Sequence, residues 1–392
     1  MISDRTAAAI PRIIGVVLGA AAVTAMLGTA IAAPTHRGAK VGLGKVLTSK
    51  DGREIFGFDI NQSGDDGLLA TAGSVEIFDQ NTGKVTKSLG RLVNQNSDYV
   101  AYGIAAGDVG LIDHEVVPDG QLFPKRHYMA LNPVSGKKIT GKWTPPLHGI
   151  IMQQMSEDQS SSITSLFALT NLKQGEAPVL LVADIAANTV SNVIDLDPNL
   201  FGPCNGSHLA QYTAANLAYI AASPDCGAVG GRAPANGLYD LSSGKFTQFS
   251  GYNNGFFHAG SVNGATVDPN TGVAATTTEL NSQVEFYDLH KKKGIAFAQL
   301  PCTGDTDQTY SGSGIAVDSV NKLFLVTESS DACSGGSDSA IIVFDEAGNL
   351  VESIPGFKLF IGEPAPAINP SKRMGWVFGG PNGWSQLQQF FY

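Results

Sequence analysis

A short polar turn recurs along the chain, each time directly after an apolar or aromatic run. Its pattern is Asx first, Ser or Thr fourth and Gly fifth, and it occurs in full at 79–83, 132–136 and 240–244. An Asx side chain accepts hydrogen bonds from the amides of such a turn, and Gly adopts the left-handed conformation that closes it. Each copy therefore predicts a β-hairpin.

Looser copies extend this pattern over the rest of the chain. They begin at Asp184, Asp288 and Asp345, and a last apolar run, 387–392, ends where one more turn would begin. Successive turns start 48 to 57 residues apart. Four short strands in a unit of about this length are typical of a propeller blade. Seven such runs predict seven repeats.

The remaining strands fit the same frame. Runs of small and β-branched residues, such as 273–278 and 323–327, suit a second strand that neighbouring blades cover on both faces. The seventh repeat lacks an outer strand, which residues 40–48 can supply. We therefore predict an all-β fold over residues 33–392, a single seven-bladed β-propeller of four-stranded blades, closed by pairing the N-terminal strand with the C-terminal blade. A ring of six or eight blades and two stacked β-sandwiches are the alternatives.

Two segments resemble the bacterial propeller repeats of the YVTN and NHL types. Gly314-Ile315-Ala316-Val317-Asp318 resembles their inner-strand motif, and residues 182–195 resemble their outer hairpin. The resemblance implies a propeller fold and leaves the function open, because one fold carries many functions.

The N-terminus has the features of an export signal. Arg5 and Arg12 precede 21 uncharged residues, 13–33, and Ala30-Ile31-Ala32 forms a small-x-small cleavage site. Residues 1–32 are therefore predicted to be a signal peptide, which would direct the chain to the periplasm or out of the cell. An uncleaved anchor is the alternative, because 21 uncharged residues can just span a bilayer.

Composition narrows the choice of partners. The net charge is −10 and only 15% of the residues are charged. A surface of that sign repels phosphate backbones, so nucleic acid is not a predicted partner. No later segment has the length and polarity of a transmembrane helix, so we expect the mature chain to have no stable membrane anchor. We also expect it to be a monomer.

The four cysteines predict disulfide bonds, because they are an even set in an exported chain. Cys302 lies in the connection that leads into repeat six, and Cys333 lies between its second and third strands. Both connections leave the same face of a propeller, which favours a Cys302–Cys333 bond. Cys204 is then left for Cys226 by elimination, although Cys226 aligns with Thr271 in a turn on the opposite face.

No catalytic motif is present, so candidate site residues come from their places in the repeat. Glu279 and Glu328 each end a second strand, seven residues after Gly272 and Asn321 respectively, and would stand side by side near the channel mouth. Such a pair can ligate a divalent cation or share a proton, unless both are solvated loop carboxylates. No cofactor is predicted beyond the divalent cation, such as calcium, that this pair would bind.

Three histidines supply the other candidates. His148, His208 and His258 each fall in a connection that leads into a repeat, where they would form part of a metal or general-base site if they converged. Solvated or core histidines are the alternative. Aromatic residues fall in connections of the same face, namely Tyr252, Phe256, Phe257, Tyr310 and Trp384.

Two functions fit these observations. The first is an exported binding scaffold for a protein, peptide or carbohydrate at the loop face of the central channel. The second is a metal-dependent lactonase-like hydrolase or a lyase with its site at the channel mouth, by analogy with the gluconolactonase group. The sequence does not decide whether the chain is an enzyme.

Overall fold

The structure, a computed structural model, gives the backbone of most of the predicted repeats. It describes residues 41–62, 64–71, 73–90, 99–105, 109–116, 125–132, 135–137, 151–157, 165–171, 179–184, 189–196, 207–212, 215–222, 235–249, 262–278, 283–300, 312–328, 339–357, 365–380 and 383–392. All of these belong to one unit, Lys40–Tyr392. The predicted signal peptide, 1–32, lies outside the described residues.

The described strands form seven antiparallel sheets, numbered here by their order along the chain. Sheet 1 contains β2 (Ile55–Ile60), β3 (Asp66–Thr71), β4 (Ser74–Asp79) and β5 (Lys84–Gly90). Sheet 2 contains β6 (Tyr99–Ala105), β7 (Val109–Val116) and β8 (Lys125–Leu131). Sheet 3 contains β9 (Ile151–Glu157), β10 (Ser165–Asn171), β11 (Val179–Asp184) and β12 (Thr189–Asp195).

Sheets 4 to 7 continue the series. Sheet 4 contains β13 (Ser207–Tyr212), β14 (Leu217–Ala222), β15 (Ala235–Asp240) and β16 (Lys245–Gln248), and sheet 5 contains β17 (Val262–Val267), β18 (Val273–Thr278), β19 (Gln283–Asp288) and β20 (Lys293–Gln299). Sheet 6 contains β21 (Gly312–Asp318), β22 (Leu323–Glu328), β23 (Ser339–Asp345) and β24 (Leu350–Phe357). Sheet 7 contains β25 (Ala367–Asn369), β26 (Met374–Gly380), β27 (Gly383–Phe391) and β1 (Gly42–Thr48). No helix in the described part of the chain has the length and apolar character needed to cross a membrane.

The sheets are the blades of a β-propeller. The first strand of each sheet contacts the first strand of the next in a closed cycle, β2, β6, β9, β13, β17, β21, β25 and back to β2. The predicted closure is confirmed, because β1 pairs with β27 and becomes the outer strand of sheet 7. The first strand that the structure describes is thus paired with the last strand of the chain, and sheet 7 has a complete set of four strands.

The recurring turn is confirmed as the hairpin between third and fourth strands. The carboxylate of Asp79 accepts hydrogen bonds from the amides of Asn81 and Thr82, both at 2.8 Å. Gly83 closes the turn with φ 67°, as Gly136 does with φ 68°. The turn therefore depends on the two residue types that revealed it in the sequence.

Apolar side chains pack between the sheets. Trp376 of sheet 7 is fully buried and contacts Phe78 of sheet 1 edge-on, with 5.7 Å between ring centroids. Phe286 of sheet 5 meets Phe324 of sheet 6 in the same way at 5.4 Å. Because each sheet buries its faces against two neighbours, the core is a series of layers rather than one centre.

Candidate functional site

Two faces of the propeller are distinguished by their connections. The loop face is defined here as the end of the sheets where second strands lead to third strands and where one sheet leads to the next. The turn face is the opposite end, where first strands turn into second strands and third strands turn into fourth strands. The candidate residues taken from the sequence were assigned to the loop face.

Glu328 lies at the loop end of sheet 6, where it ends the second strand as the sequence predicts. It is the last residue of β22, is paired with Gly312 and Ala340, and is only 3% exposed. The description of this residue as a solvated loop carboxylate is therefore wrong. Glu279 lies outside the described residues.

The predicted equivalence of Glu279 and Glu328 is wrong by one residue. Val267 pairs with Ala274, and Val317 pairs with Phe324, so Glu328 is equivalent to Thr278. A shift of one position along a strand turns a side chain to the other face of the sheet. The two glutamates thus do not occupy equivalent positions, and the shared register that predicted neighbouring side chains does not exist.

His208 is also misplaced by the sequence analysis. It belongs to β13, the first strand of sheet 4, where it pairs with Ala221, rather than to the connection before that strand. His148 and His258 lie outside the described residues. The prediction of a histidine site was based on three histidines in connections that lead into a repeat, and His208 does not lie in one.

The strand bounds also change the setting of the cysteines, all four of which lie outside the described residues. Cys226 falls between β14 and β15, a connection of the loop face, and not in the turn equivalent to Thr271. Cys204 falls in the connection that leads into β13, on that same face. The objection to a Cys204–Cys226 bond is thereby removed, and both predicted disulfides stay predictions.

The described polar residues converge instead on the turn face, at the junctions between sheets. The last residue of a first strand, or the one after it, faces the residue that follows the third strand of the next sheet. This junction is seen three times, as Asn369 with Gln80, Asp318 with Tyr392, and Asp268 with Glu346.

The junction of sheets 7 and 1 is made of amides. The Nδ2 of Asn369 donates to the Oε1 of Gln80 at 3.1 Å, and Gln80 in turn donates to the carbonyls of Asn61 at 2.9 Å and Gly64 at 2.7 Å. Both side chains are fully buried. Each amide finds its partners within the framework, which is the arrangement that buried polar groups require.

The junction of sheets 6 and 7 pairs a carboxylate with a phenol. The Oδ2 of Asp318 accepts from the Tyr392 hydroxyl at 3.0 Å and from the Nδ2 of Asn321 at 2.7 Å. Burial raises the pKa of Tyr392 well above its ordinary value, and the Asp318 carboxylate adds to the rise. The phenol therefore stays protonated and acts as a permanent donor.

Replacing Tyr392 with Phe should lower the free energy of unfolding by about 2 kcal/mol, since it removes a hydrogen bond to a buried carboxylate. Tyr239→Phe is a suitable control, because no hydrogen bond of that hydroxyl is seen within the described residues. Urea unfolding followed by tryptophan fluorescence measures both changes. Equal stability losses in the two variants would show that the Asp318 contact contributes nothing specific.

The junction of sheets 5 and 6 differs, because it brings two carboxyl groups together. Asp268 is fully buried and accepts the amide of Asn270 at 2.8 Å through Oδ1, while no hydrogen-bond partner of Oδ2 is seen in the described part of the chain. Glu346 accepts a hydrogen bond from the Thr271 hydroxyl. Burial raises the pKa of Asp268 to about 6; the Asn270 amide opposes this rise and the Glu346 carboxylate adds to it. In this setting Asp268 binds a proton more readily than a free aspartate does.

A tyrosine and a histidine lie beside this junction. The Tyr212 hydroxyl and the Nε2 of His290 are 3.3 Å apart, and a side chain at Gly272 would run into both. Burial raises the pKa of Tyr212, and the charge of Asp268 raises it further. Gly272 also has φ 69°, a conformation that glycine adopts without strain, and the space beside it leaves no room for a side chain.

A second polar cluster lies deeper, between sheets 4 and 5. Glu285 of β19 is 2% exposed and accepts a hydrogen bond from Tyr287 on the same strand. Tyr219 of β14 faces Asn236 and Thr276, although no well-formed hydrogen bond of these three side-chain oxygens is seen within the described residues. Burial raises the pKa of Glu285 to about 7, against the opposing effect of the Tyr287 hydroxyl.

Sheet 1 has a glutamate in the equivalent position, with a different environment. Glu76 holds the register of Glu285, since each stands three residues before the aspartate that ends its strand. The fully buried Glu76 accepts the amide of Lys50 at 3.0 Å and the hydroxyl of Ser74 at 3.3 Å. The same position thus holds a carboxylate with two donors in one sheet, and a carboxyl group of raised pKa in another.

These groups can hold and exchange protons, and the described residues show no fuller catalytic set. Within the described ranges, no three His, Cys, Asp or Glu side chains approach closely enough to hold a metal ion. Neither acidic cluster is predicted by the sequence. The Val-Asp pairs at 267–268 and 317–318 mark the junction aspartates, but nothing in the sequence shows which residue of the next sheet faces them.

The comparisons with known proteins agree on the fold. No family model and no curated protein sequence matches the chain. Solved structures do match, among them the structure of U3-55K, with a TM-score of 0.63, 11% identity, and coverage of 91% of this chain and 100% of the other. The WD40 repeats of RRP9 match with a TM-score of 0.63, 10% identity, and coverage of 90% and 99%. At this identity the likeness shows a β-propeller and nothing of the activity.

Proposed function

We propose that this chain is an exported, seven-bladed β-propeller of the YVTN/NHL-like type that binds a protein, peptide or carbohydrate at its loop face. The observation that carries the proposal is the unequal length of the connections on the two faces. The connections into sheets 5 and 6 hold 13 and 12 residues, and those between second and third strands of sheets 4 and 6 hold 12 and 10. The turn-face connections of these sheets hold four or five.

This inequality favours the loop face as the binding surface. Long connections on a rigid sheet framework are where propellers and related folds carry recognition residues. The connections of the turn face are short, and their aspartates accept hydrogen bonds from the amides of their own turns, as Asp79 and Asp240 do. Its polar groups are therefore largely occupied by the framework itself.

Aromatic residues on the loop face suit a peptide or glycan contact. Trp384, the second residue of β27, lies at the loop end of sheet 7 and is 45% exposed, with its ring edge-on to Phe378 at 6.1 Å. Four more aromatic residues fall in the long connections, at positions 252, 256, 257 and 310. Such side chains supply contact area at low entropic cost.

A binding experiment tests this proposal. The mature chain, residues 33–392, would be applied to a printed array of glycans and peptides. We expect at least one retained ligand whose affinity falls by roughly tenfold or more in Trp384→Ala. Val320→Ala, which changes an exposed residue of the turn face, should leave the affinity unchanged. Equal losses in both variants would overturn the assignment to the loop face.

Two further measurements separate the alternatives. Expression of the full chain in a bacterial host should give an exported protein that begins at Ala33, whereas retention in the membrane with residues 1–32 intact would favour the anchor. A stoichiometric metal that is lost in Glu328→Ala would favour the metal-dependent hydrolase or lyase. A metal-free protein that retains an array ligand would favour the scaffold.

A further inference from the structure

Sheet 5 contains both of the buried carboxyl groups that have raised pKa values in the described part of the chain. Glu285 lies on its third strand and faces sheet 4, and Asp268 follows its first strand and faces sheet 6. The two groups therefore lie at the two interfaces of one sheet.

We propose that sheet 5 is a proton-binding junction: Glu285 binds one proton at the interface with sheet 4, Asp268 binds another at the interface with sheet 6, where it faces Glu346, and mild acid thereby strengthens both interfaces. The proposal depends on where these groups lie and on what faces them, and it is independent of the ligand at the loop face.

The groups that face Glu285 leave its negative charge uncompensated. Tyr287 on the same strand donates one hydrogen bond, and Tyr219 faces it from β14. The neighbouring polar side chains, Asn236 of β15 and Thr276 of β18, are neutral. A carboxylate buried among neutral groups is costly, and protonation removes that cost.

At the other interface the neighbouring charge has the same sign. Glu346 faces Asp268 from the turn between β23 and β24, Tyr212 faces it from β13, and Thr271 lies on its own turn. His290 lies next to Tyr212, with 3.3 Å between its Nε2 and the Tyr212 hydroxyl. Two carboxylates in one junction repel when both are ionised, whereas a proton on Asp268 removes this repulsion.

The direction of the pH dependence follows from linkage. Both pKa values are higher in the folded chain, at about 6 and about 7, than the ordinary values of 3.8 and 4.5. The folded state therefore binds more protons than the unfolded state between about pH 4 and pH 8, so its stability falls as the pH rises through this range. Carboxyl groups of lowered pKa, such as Asp65 beside Lys372, act at lower pH and leave this range unaffected.

The chain provides a matched control for each group. Glu76 holds the register of Glu285 but accepts two hydrogen bonds, and Asp318 holds the place of Asp268 but accepts the Tyr392 hydroxyl. Melting temperatures of the mature chain at pH 5 and pH 8 would be compared for E285Q, D268N, E76Q, D318N and the unsubstituted protein.

We expect the melting temperature of the unsubstituted protein to fall by roughly 4 °C or more from pH 5 to pH 8. E285Q and D268N should each reduce this fall by about half, and E76Q and D318N should retain it. The proposal is overturned if E285Q and D268N keep the full fall, or if the control variants reduce it equally. Calcium that raises the melting temperature at pH 8, with the rise abolished in D268N, would show a cation rather than a proton at the second interface.

A measurement on the unsubstituted protein covers the case in which a variant does not fold. Carbon-13 NMR of the carboxyl groups should show one Glu and one Asp titrating above pH 5.5. If every carboxyl group titrates below pH 5, neither interface binds a proton and the proposal fails.

Discussion

Replacing Trp376 with Ala should lower the free energy of unfolding by about 3–5 kcal/mol, the range seen when a large aromatic side chain is removed from a core. The indole is fully buried between sheets 7 and 1, with its ring edge-on to Phe78. Its Nε1 donates to the carbonyl of Gln80 at 3.1 Å. The substitution therefore leaves a cavity and also an acceptor with one donor fewer.

Trp384→Ala is the matched control, because it removes a half-exposed tryptophan from the same sheet. We expect it to cost less than about 1 kcal/mol. Guanidinium unfolding followed by circular dichroism measures both variants without depending on the lost fluorophore. If the two variants lose equal stability, the burial of Trp376 between sheets 7 and 1 adds nothing to the stability of the fold.

The sequence predicted those parts of the fold that depend on local turn chemistry. The six aspartate or asparagine markers all stand at or just after the end of a third strand. In the five whose side chains the structure describes, a carboxyl or amide oxygen accepts hydrogen bonds from amides of the turn that follows. The closing strand was found for a different reason, namely that the last repeat lacked its outer strand. Both inferences needed only neighbouring residues or a count of strands.

The errors in the candidate site come from turns that use an unexpected residue in the left-handed conformation. The position before the second strand has positive φ in sheets 4 to 7, but only sheet 5 has glycine there. In sheet 6 it is Lys322, with φ 57°, rather than the neighbouring Asn321 that the sequence favours. Aligning Gly272 with Asn321 shifted the strand by one residue, and with it the apparent match of Glu279 and Glu328.

The first strand of sheet 4 was predicted at the wrong position for a related reason. The turn between β13 and β14 has Asn216 in the left-handed position and contains no glycine. The strand before it, Ser207–Tyr212, has only the adjacent pair Leu209 and Ala210 between polar residues and lacks the Val-Asp ending of sheets 5 and 6. The contacts between sheets were beyond prediction altogether, because they depend on which residues 50 to 300 positions apart become neighbours, as Asn369 and Gln80 do.

Removing residues 1–48 should lower the free energy of unfolding by more than about 5 kcal/mol. This is a large part of the total stability of a typical domain. Strand β1 is lost with this segment, and with it the fully buried Leu47. The amide of Lys45 bonds the Oε1 of Gln389 at 3.1 Å, and the Nε2 of Gln388 donates to the carbonyls of Gly44 and Lys45. Both glutamines would lose partners inside sheet 7.

The shortened chain should also associate with itself. Without β1, strand β27 becomes an edge with unpaired amides and carbonyls, a surface that pairs with other strands. Size-exclusion chromatography should therefore show aggregates or oligomers, whereas a chain that lacks only residues 1–40 should elute and melt as the mature protein does. A synthetic peptide of residues 41–48 added in trans should restore the monomer. A monomeric, equally stable chain without β1 would show that pairing of the first and last strands is dispensable for closure.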